Sequence, residues 1–171
     1  MTTRKEVWQR GPIKNIPALL QPVAHALLEV GEEVNEIMTG FPEALLWERP
    51  AGAAAPAFHL QHMAGVIDRL FTYARNESLT REQLFFLSIE GDQEKTSSPM
   101  SKLIENLNQR IDLAVVELAG VNAMELSEAR GLGRARIPTT LIGLYFHAAE
   151  HAMRHTGQLL VTVRVIKAAR Q

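Results

Sequence analysis

Three histidines follow one another at steps of four residues near the end of the chain. They are His147, His151 and His155, and the whole chain of 171 residues has only six histidines. Residues four apart lie one turn apart on nearly the same side of an α-helix, and two neutral imidazoles at that spacing can bind one metal ion. His59 and His62 form a second group far upstream, so the sequence predicts a metal site that bridges two helices.

His151 and His155 occupy positions of an apolar stripe that runs along the last helix. Buried imidazoles need partners, and the simplest alternative to a metal is a hydrogen-bonded pair in a core or cleft. Two histidines in register, with more on another helix, favour the metal. His147 lies beside the stripe, and the outer two of the three would be about 12 Å apart along the axis. We therefore predict that His147 flanks and supports the ligands.

The third ligand is expected from the upstream pair. Periodicity slightly prefers His59, which shares a helix face with Met63 and Val66, whereas His62 lies at the edge of that face. The residue pattern by itself leaves this choice open.

No known catalytic motif accompanies the histidines. Zinc proteases have a glutamate directly after the first histidine of the pair, and this chain has Ala152 there. Glu150 is predicted to be a solvated surface acid. Neither a glycine-rich phosphate loop nor a Gly-x-Ser-x-Gly elbow is present, so the catalytic residues are left unassigned.

The composition describes one globular domain. Hydrophobic residues make up 46% of the chain and charged residues 22%, which is typical of a soluble protein, and the length suits a single domain over residues 1–171. The net charge of −1 gives no reason to expect nucleic-acid binding. We find no signal peptide and no stretch apolar enough to span a membrane, so we expect a cytoplasmic protein.

The chain contains no cysteine, which excludes disulfides and thiolate ligands. Any metal must therefore be held by histidine, carboxylates and water. Imidazole ligands suit Zn, Ni, Fe and Cu alike. We expect Zn²⁺ or Ni²⁺ first, with Fe and Mn as further candidates.

Apolar periodicity predicts four long helices and one short helix. The long ones cover about residues 17–38, 56–75, 99–120 and 138–168, and the short one covers about 80–89. Thr80 and Gln83 have the spacing of a capping box at the start of the short helix. Residues 122–136 are predicted to be mostly loop, and no alternating β pattern is found. The expected fold is an all-α four-helix bundle with short additional helices.

These residues resemble a known family, the DinB/YfiT-like metalloenzymes, which are four-helix bundles. That family has a motif like His-Leu/Ile-x-x-x-x-Asp on its second helix, and residues 62–68 here read His-Met-Ala-Gly-Val-Ile-Asp. Its last helix has a motif like His-x-x-x-His-x-Gly-Gln, and residues 151–158 read His-Ala-Met-Arg-His-Thr-Gly-Gln. The likeness covers nearly the whole chain.

The resemblance implies a mononuclear site made by His62, His151 and His155, with His59 held in reserve. Ala152 and Arg154 depart from the glutamate and histidine that the family often has there. Family members with an assigned activity include transferases and isomerases that use low-molecular-weight thiols such as bacillithiol or mycothiol. The resemblance also implies a homodimer that acts on a small-molecule substrate.

Two classes of function follow. The first is a metal-dependent enzyme, either a thiol S-transferase or a hydrolase, because three neutral histidines leave positions on the ion for water or a thiol. The alternative is a non-catalytic helical module that binds a metal or a small ligand, such as a stress-response protein.

Overall fold

The computed structural model describes residues 4–170, which form five α-helices and one two-stranded hairpin. The helices are α1 (Gln21–Met38), α2 (Pro56–Ala74), α3 (Arg81–Ile89), α4 (Met100–Ala119) and α5 (Leu141–Ala168), and the hairpin is β1 (Ala129–Leu132) with β2 (Ile137–Thr140). Five short 3₁₀ turns lie at Val7–Arg10, Ala18–Leu20, Glu43–Leu45, Pro50–Gly52 and Ala123–Glu125. The prediction of an all-α bundle with short additional helices is confirmed.

The four long helices enclose one hydrophobic core, and α2 packs against both α4 and α5. Each long helix contributes fully buried aliphatic side chains, among them Leu27, Leu60, Leu107 and Leu159. Burial of these faces drives the assembly, because isolated helices of this length are only marginally stable in water. No helix in residues 4–170 is long and apolar enough to cross a membrane.

The short helix α3 begins with the predicted capping box. Thr80 Oγ1 accepts a hydrogen bond from the Gln83 backbone N–H at 3.1 Å, and Gln83 Oε1 accepts one from the Thr80 N–H at 2.9 Å. The Gln83 amide also donates to Asp68 Oδ2 at 2.9 Å, which ties the start of α3 to α2. The cap therefore fixes both where α3 begins and where it lies.

The prediction that residues 122–136 are mostly loop and that the chain has no strand was wrong at the hairpin. β1 and β2 pair antiparallel, with Ala129 opposite Thr140 and Leu132 opposite Ile137. Four-residue strands are too short to show an alternating pattern. Pro138, which suggested a first helical turn, lies in β2, and α5 starts at Leu141 instead.

Replacing Leu107 with alanine is expected to lower the free energy of unfolding by about 2–5 kcal/mol. Leu107 is fully buried in α4, and truncating a buried leucine loses apolar burial and leaves a cavity. Leu113 on the same helix is 54% exposed, so Leu113→Ala should change the value by about 0.5 kcal/mol or less. Urea denaturation of both variants checks this, and equal losses would contradict the assigned core face.

Candidate metal centre

The packing of α2 against α5 brings three histidines together. His62 Nε2 lies 2.9 Å from His151 Nε2, and the ring centre of His155 is 4.4 Å from that of His62 and 4.7 Å from that of His151. Each residue offers one ring nitrogen within 4.8 Å of the other two. The three residues of the predicted site therefore meet in space, although 89 residues separate His62 from His151.

Glu90 determines which nitrogen of His62 is free. The Glu90 carboxylate, directly after α3, is hydrogen-bonded to His62 Nδ1. Burial by itself would raise the pKa of Glu90, but the hydrogen bond from His62 and the charge of Arg69 outweigh it and lower the pKa. The carboxylate is therefore ionised and can only accept, so His62 Nδ1 carries a proton, and in the neutral ring Nε2 is the nitrogen with a lone pair for the cluster.

His59 contacts the cluster from behind His155. Its side chain is only 3% exposed, and its Nδ1 lies 3.0 Å from His155 Nδ1. With the proton on His155 Nδ1, that nitrogen donates to His59 and leaves His155 Nε2 free for an ion. His59 is thus placed to orient a ligand, in the way that hydrogen-bonding partners of metal-bound histidines commonly do.

His151 carries an unsatisfied nitrogen. When His62 is neutral and its Nδ1 carries the proton, His151 Nε2 is the donor in their 2.9 Å contact. His151 Nδ1 is then an unpaired acceptor, and it is the one buried side-chain nitrogen or oxygen within residues 4–170 that has no hydrogen-bond partner. Hydrogen bonding alone does not satisfy the cluster, which counts against a simple pair of hydrogen-bonded core histidines.

The electrostatic surroundings keep the imidazoles neutral. Burial lowers the pKa of His155 to about 4, and the neighbouring His62, His151 and His59 act in the same direction. Burial and His62 lower the pKa of His59 to about 4, and burial followed by His62 lowers the pKa of His151. Neutral imidazole is the form that ligates a metal, so at neutral pH these rings need not release a proton, although the proton of His151 would have to move from Nε2 to Nδ1 before Nε2 could bind an ion.

The donor set fits one divalent ion. Two nitrogens bound to a tetrahedral zinc ion, with bonds of about 2.0–2.1 Å, lie roughly 3.4 Å apart. The 2.9 Å between His62 Nε2 and His151 Nε2 is slightly shorter than this spacing. The ligand nitrogens of all three residues lie within 4.8 Å of one another, which allows a slightly longer spacing. Modest rotations of the rings would therefore bring all three nitrogens to ligating distance.

His147 lies at the flank of the histidine cluster, as its position beside the apolar stripe predicted. Its Nδ1 is 2.9 Å from Glu150 Oε1, and Glu150 in turn accepts from Arg154 at 2.6 Å. His147, Glu150 and His151 also offer one atom each within 4.8 Å of one another. The Glu150 carboxylate already forms an ion pair with Arg154. The group of His147, Glu150 and His151 is therefore a weaker candidate for binding an ion than the three clustered histidines.

The end of α3 is anchored to α2, and this anchoring places Glu90. The Gly91 N–H donates to Gln61 Oε1 at 2.9 Å. Gly91 has φ +80°, and a Cβ there would lie 2.8 Å from the Phe58 ring, so only glycine fits. Phe58 in turn stacks on His62, with ring centres 5.1 Å apart and planes 16° apart.

Arg69 holds Glu90 from the other side. Its guanidinium donates to Glu90 Oε2 at 3.1 Å, and the pair crosses α2 where Gly65 has no side chain. A Cβ on Gly65 would lie 2.5 Å from Arg69 Nη1 and 2.9 Å from Glu90 Oε2. Arg69, Glu90 and His62 therefore form one continuous chain of polar contacts that ends at the histidine cluster.

Sequence reasoning missed Glu90, Arg69 and Phe58. No spacing relates Glu90 to His62, because the two residues belong to different elements and meet only after α3 folds back on α2. Asp68, the acid in the motif of residues 62–68, points elsewhere: it accepts from Arg110 at 2.9 Å and from Gln83 at 2.9 Å. The motif acid joins α2 to α3 and α4, and Arg69 beside it is the residue connected to the cluster.

Lowering the pH from 7.5 to 5 is expected to destabilise the metal-free protein. The folded-state pKa values of His59 and His155, about 4, lie below the ordinary 6.5. Between these values the unfolded chain binds protons that the folded chain does not, so stability falls as the pH falls through this window and levels off above about pH 7.

Urea midpoints in the presence of a chelator, at the two pH values, measure this effect. The difference between the midpoints should be smaller in His155→Gln than in the wild type, and unchanged in His25→Gln. His25 is remote from the cluster and contacts the Gly11 carbonyl. If the difference between the two urea midpoints is the same in His155→Gln as in the wild type, His155 is not the source of the pH dependence.

The fold and the cluster together define a helical-bundle protein with a histidine group that is compatible with a metal-binding site. The model of the DinB superfamily matches residues 26–159, a range that includes every histidine of the cluster. The chain therefore belongs to the DinB superfamily, and the predicted family is confirmed.

A solved structure shows the same fold at low sequence identity. The crystal structure of a protein from Streptococcus pneumoniae superposes with a TM-score of 0.60 and 13% identity, over 85% of this chain and 88% of that one. A search of the curated proteins finds no match. At this identity the likeness concerns the fold alone.

Proposed function

We propose that the protein is a metal-dependent enzyme whose single divalent ion, Zn²⁺ or Ni²⁺ first and Fe or Mn as alternatives, is held by His62, His151 and His155. The convergence of three imidazoles from two helices is the observation that carries this proposal. Within residues 4–170, no fourth histidine or carboxylate joins this group. The proposed coordination sphere is thus incomplete, as in catalytic rather than structural zinc sites.

The proposed reaction is a thiol-dependent group transfer or a hydrolysis on a small-molecule substrate. A divalent ion bound by three imidazoles offers positions for water or a thiol and lowers the pKa of what binds there. The DinB superfamily membership supports the thiol, since thiol-dependent transferases are among the activities that the resemblance implies. The cluster contains no carboxylate placed as the general base of a zinc protease, so a protease is not proposed.

The residues around the cluster have separate roles in this proposal. Glu90 keeps the proton of His62 on Nδ1, and His59 accepts a hydrogen bond from His155 Nδ1. The Phe58 ring stacks on one face of His62 and limits its rotation. Each contact holds a ligand nitrogen in place, which reduces the entropy that would be lost on binding the ion.

Metal stoichiometry tests the first half of the proposal. Protein stripped with a chelator and then dialysed against Zn²⁺ or Ni²⁺ should hold about one ion per chain by elemental analysis. Protein that remains metal-free after loading would overturn the assignment of the cluster. His25→Ala is the matched control, because this substitution removes a histidine outside the cluster and should leave the stoichiometry unchanged.

Access of a thiol to the ion tests the second half. Cobalt-loaded protein titrated with 2-mercaptoethanol should develop a sulfur-to-cobalt charge-transfer band, followed by metal-dependent turnover in a panel of thiol-transfer and ester-hydrolysis assays. If the ion binds but no band or turnover appears, the protein is instead the non-catalytic module, in which the ion joins α2 to α5.

We also propose a homodimer, which the resemblance to the family supports, and a cytoplasmic location. Sedimentation equilibrium of the loaded protein tests the dimer, with a mass of twice 19.0 kDa expected. A single species at the mass of one chain would overturn it.

A further inference from the structure

A cavity of about 460 Å³ lies between α2, α3 and α4, apart from the histidine cluster. Glu90 borders it through the side that faces Arg69, whereas none of the clustered histidines does. Its size is within the range of small-molecule sites, which bury most of a ligand of moderate size. The proposed enzymatic function does not use this cavity.

A buried guanidinium on the wall of the cavity has unused hydrogen-bonding capacity. Arg69 is only 9% exposed, and within residues 4–170 its guanidinium donates a hydrogen bond to Glu90 Oε2 alone. Guanidinium has five N–H donors, and the nitrogens of Arg69 that do not bond to Glu90 are not enclosed by protein atoms. The remaining N–H groups adjoin the cavity that Arg69 lines, where an anionic oxygen would satisfy them.

The charged side chains around the cavity are nearly all paired. Arg69 pairs with Glu90 and Arg110 with Asp68, and the exposed Lys95 and Lys102 pair with Asp92 and Glu105. Long-range attraction of an anion is therefore weak, and recognition of a carboxylate depends on hydrogen bonds from Arg69 at short range.

Part of the boundary of the cavity is apolar and exposed. Phe85 and Phe86 of α3 are 58% and 53% exposed, and both border the cavity beside the buried side chains of Ile89 and Leu103. Two adjacent exposed aromatic rings next to a cavity leave apolar area in water that a ligand could cover. The ligand thus needs an apolar body as well as a charged group.

We propose that this cavity binds a small organic carboxylate with an aromatic or short aliphatic body. The carboxylate bonds to Arg69, and the body lies against Phe85 and Phe86. The site adjoins the metal centre through Arg69 and Glu90, but it contains none of the clustered histidines and needs no ion. Its binding is therefore tested with a chelator present, so that failure of the metal proposal leaves the result unaffected.

Three probes separate the two halves of the recognition. With full-length protein and EDTA, 4-phenylbutyrate should shift backbone amide resonances of Gly65, Phe86 and Asn106 saturably in two-dimensional NMR, and leave Gly157 on α5 unshifted. The neutral 4-phenylbutanol and inorganic phosphate should each bind at least about tenfold more weakly, since each lacks one half of the interaction. Equal binding of either probe, or shifts centred elsewhere, would overturn the proposal.

Two pairs of variants make the test specific to the cavity. Phe86→Ala should weaken 4-phenylbutyrate binding several-fold, while Phe146→Ala, an exposed phenylalanine on α5, should not. Arg69→Met should weaken it by about tenfold or more, while the exposed Arg164→Met should not. If Arg69→Met fails to fold, the Phe86 pair still decides, because removing an exposed ring leaves the core intact; equal affinity of Phe86→Ala and Phe146→Ala would contradict the proposal.

Discussion

His151→Ala is expected to lower the affinity for Zn²⁺ by more than about 100-fold while the protein stays helical. Removing a partner that only hydrogen-bonds to a ligand commonly costs about 10–100-fold in metal affinity, and removal of a ligand itself should exceed that. The side chain is partly exposed and its Nδ1 makes no hydrogen bond within residues 4–170, so its loss should disturb the core little. Competition with a chromophoric chelator measures the affinity, and circular dichroism measures the helix content.

The other histidines divide into three groups in the same experiment. His62→Ala and His155→Ala should behave as His151→Ala does, and His147→Ala should lose less than about tenfold because its ring pairs with Glu150 at the flank. His25→Ala should lose nothing. Retained zinc affinity in any one of the first three variants would remove that residue from the proposed ligand set.

Glu90→Gln is expected to weaken Zn²⁺ binding by about tenfold, and Glu90→Ala by up to about 100-fold. The ionised carboxylate keeps the proton of His62 on Nδ1 and holds the ring through a charged hydrogen bond. An amide accepts more weakly, and alanine leaves the ring free to rotate. The ligand-field spectrum of the cobalt form should change along with the affinity, which a purely structural role for Glu90 would not produce.

Gly65→Ala provides an independent test of the same contact. The added Cβ would displace the ends of Arg69 and Glu90, yet alanine is intrinsically favoured over glycine in a helix by about 1 kcal/mol. Zinc affinity should therefore fall while helix content is kept or rises. The matched control is Glu117→Gln, which breaks a comparable ion pair with Arg75 at 2.7 Å far from the cluster; a similar loss of zinc affinity there would contradict the role assigned to Glu90.

The helices were predictable because their signals are local. Apolar periodicity placed α2 and α5 within a few residues of their observed bounds, and the spacing of Thr80 and Gln83 marked the start of α3. The hairpin was not predictable, since its pairing depends on a turn at Gly133 and Arg136, both with positive φ, and on contacts with the start of α5. Such contacts leave no periodic pattern in the sequence.

The choice between His59 and His62 illustrates the same limit within the site. Periodicity slightly preferred His59 because it lies on the buried face of α2, and the structure does bury it, against His155. The half-buried edge of that face carries His62, whose Nε2 faces His151. A metal site with open positions needs an edge rather than the centre of the core, so burial preference alone does not show which of the two histidines faces His151.

The sequence by itself determined the helices, the placement of His151 and His155 one turn apart on the same face of α5, and the absence of any thiolate ligand. These depend on residue type and on spacing along one element. Only the tertiary structure decided that His62 faces this pair, that His59 lies behind His155, and that Arg69 and Glu90 lead to His62 past the missing side chain of Gly65. These contacts join residues that are 21 to 96 positions apart, and they depend on how each helix is rotated about its axis when the core packs.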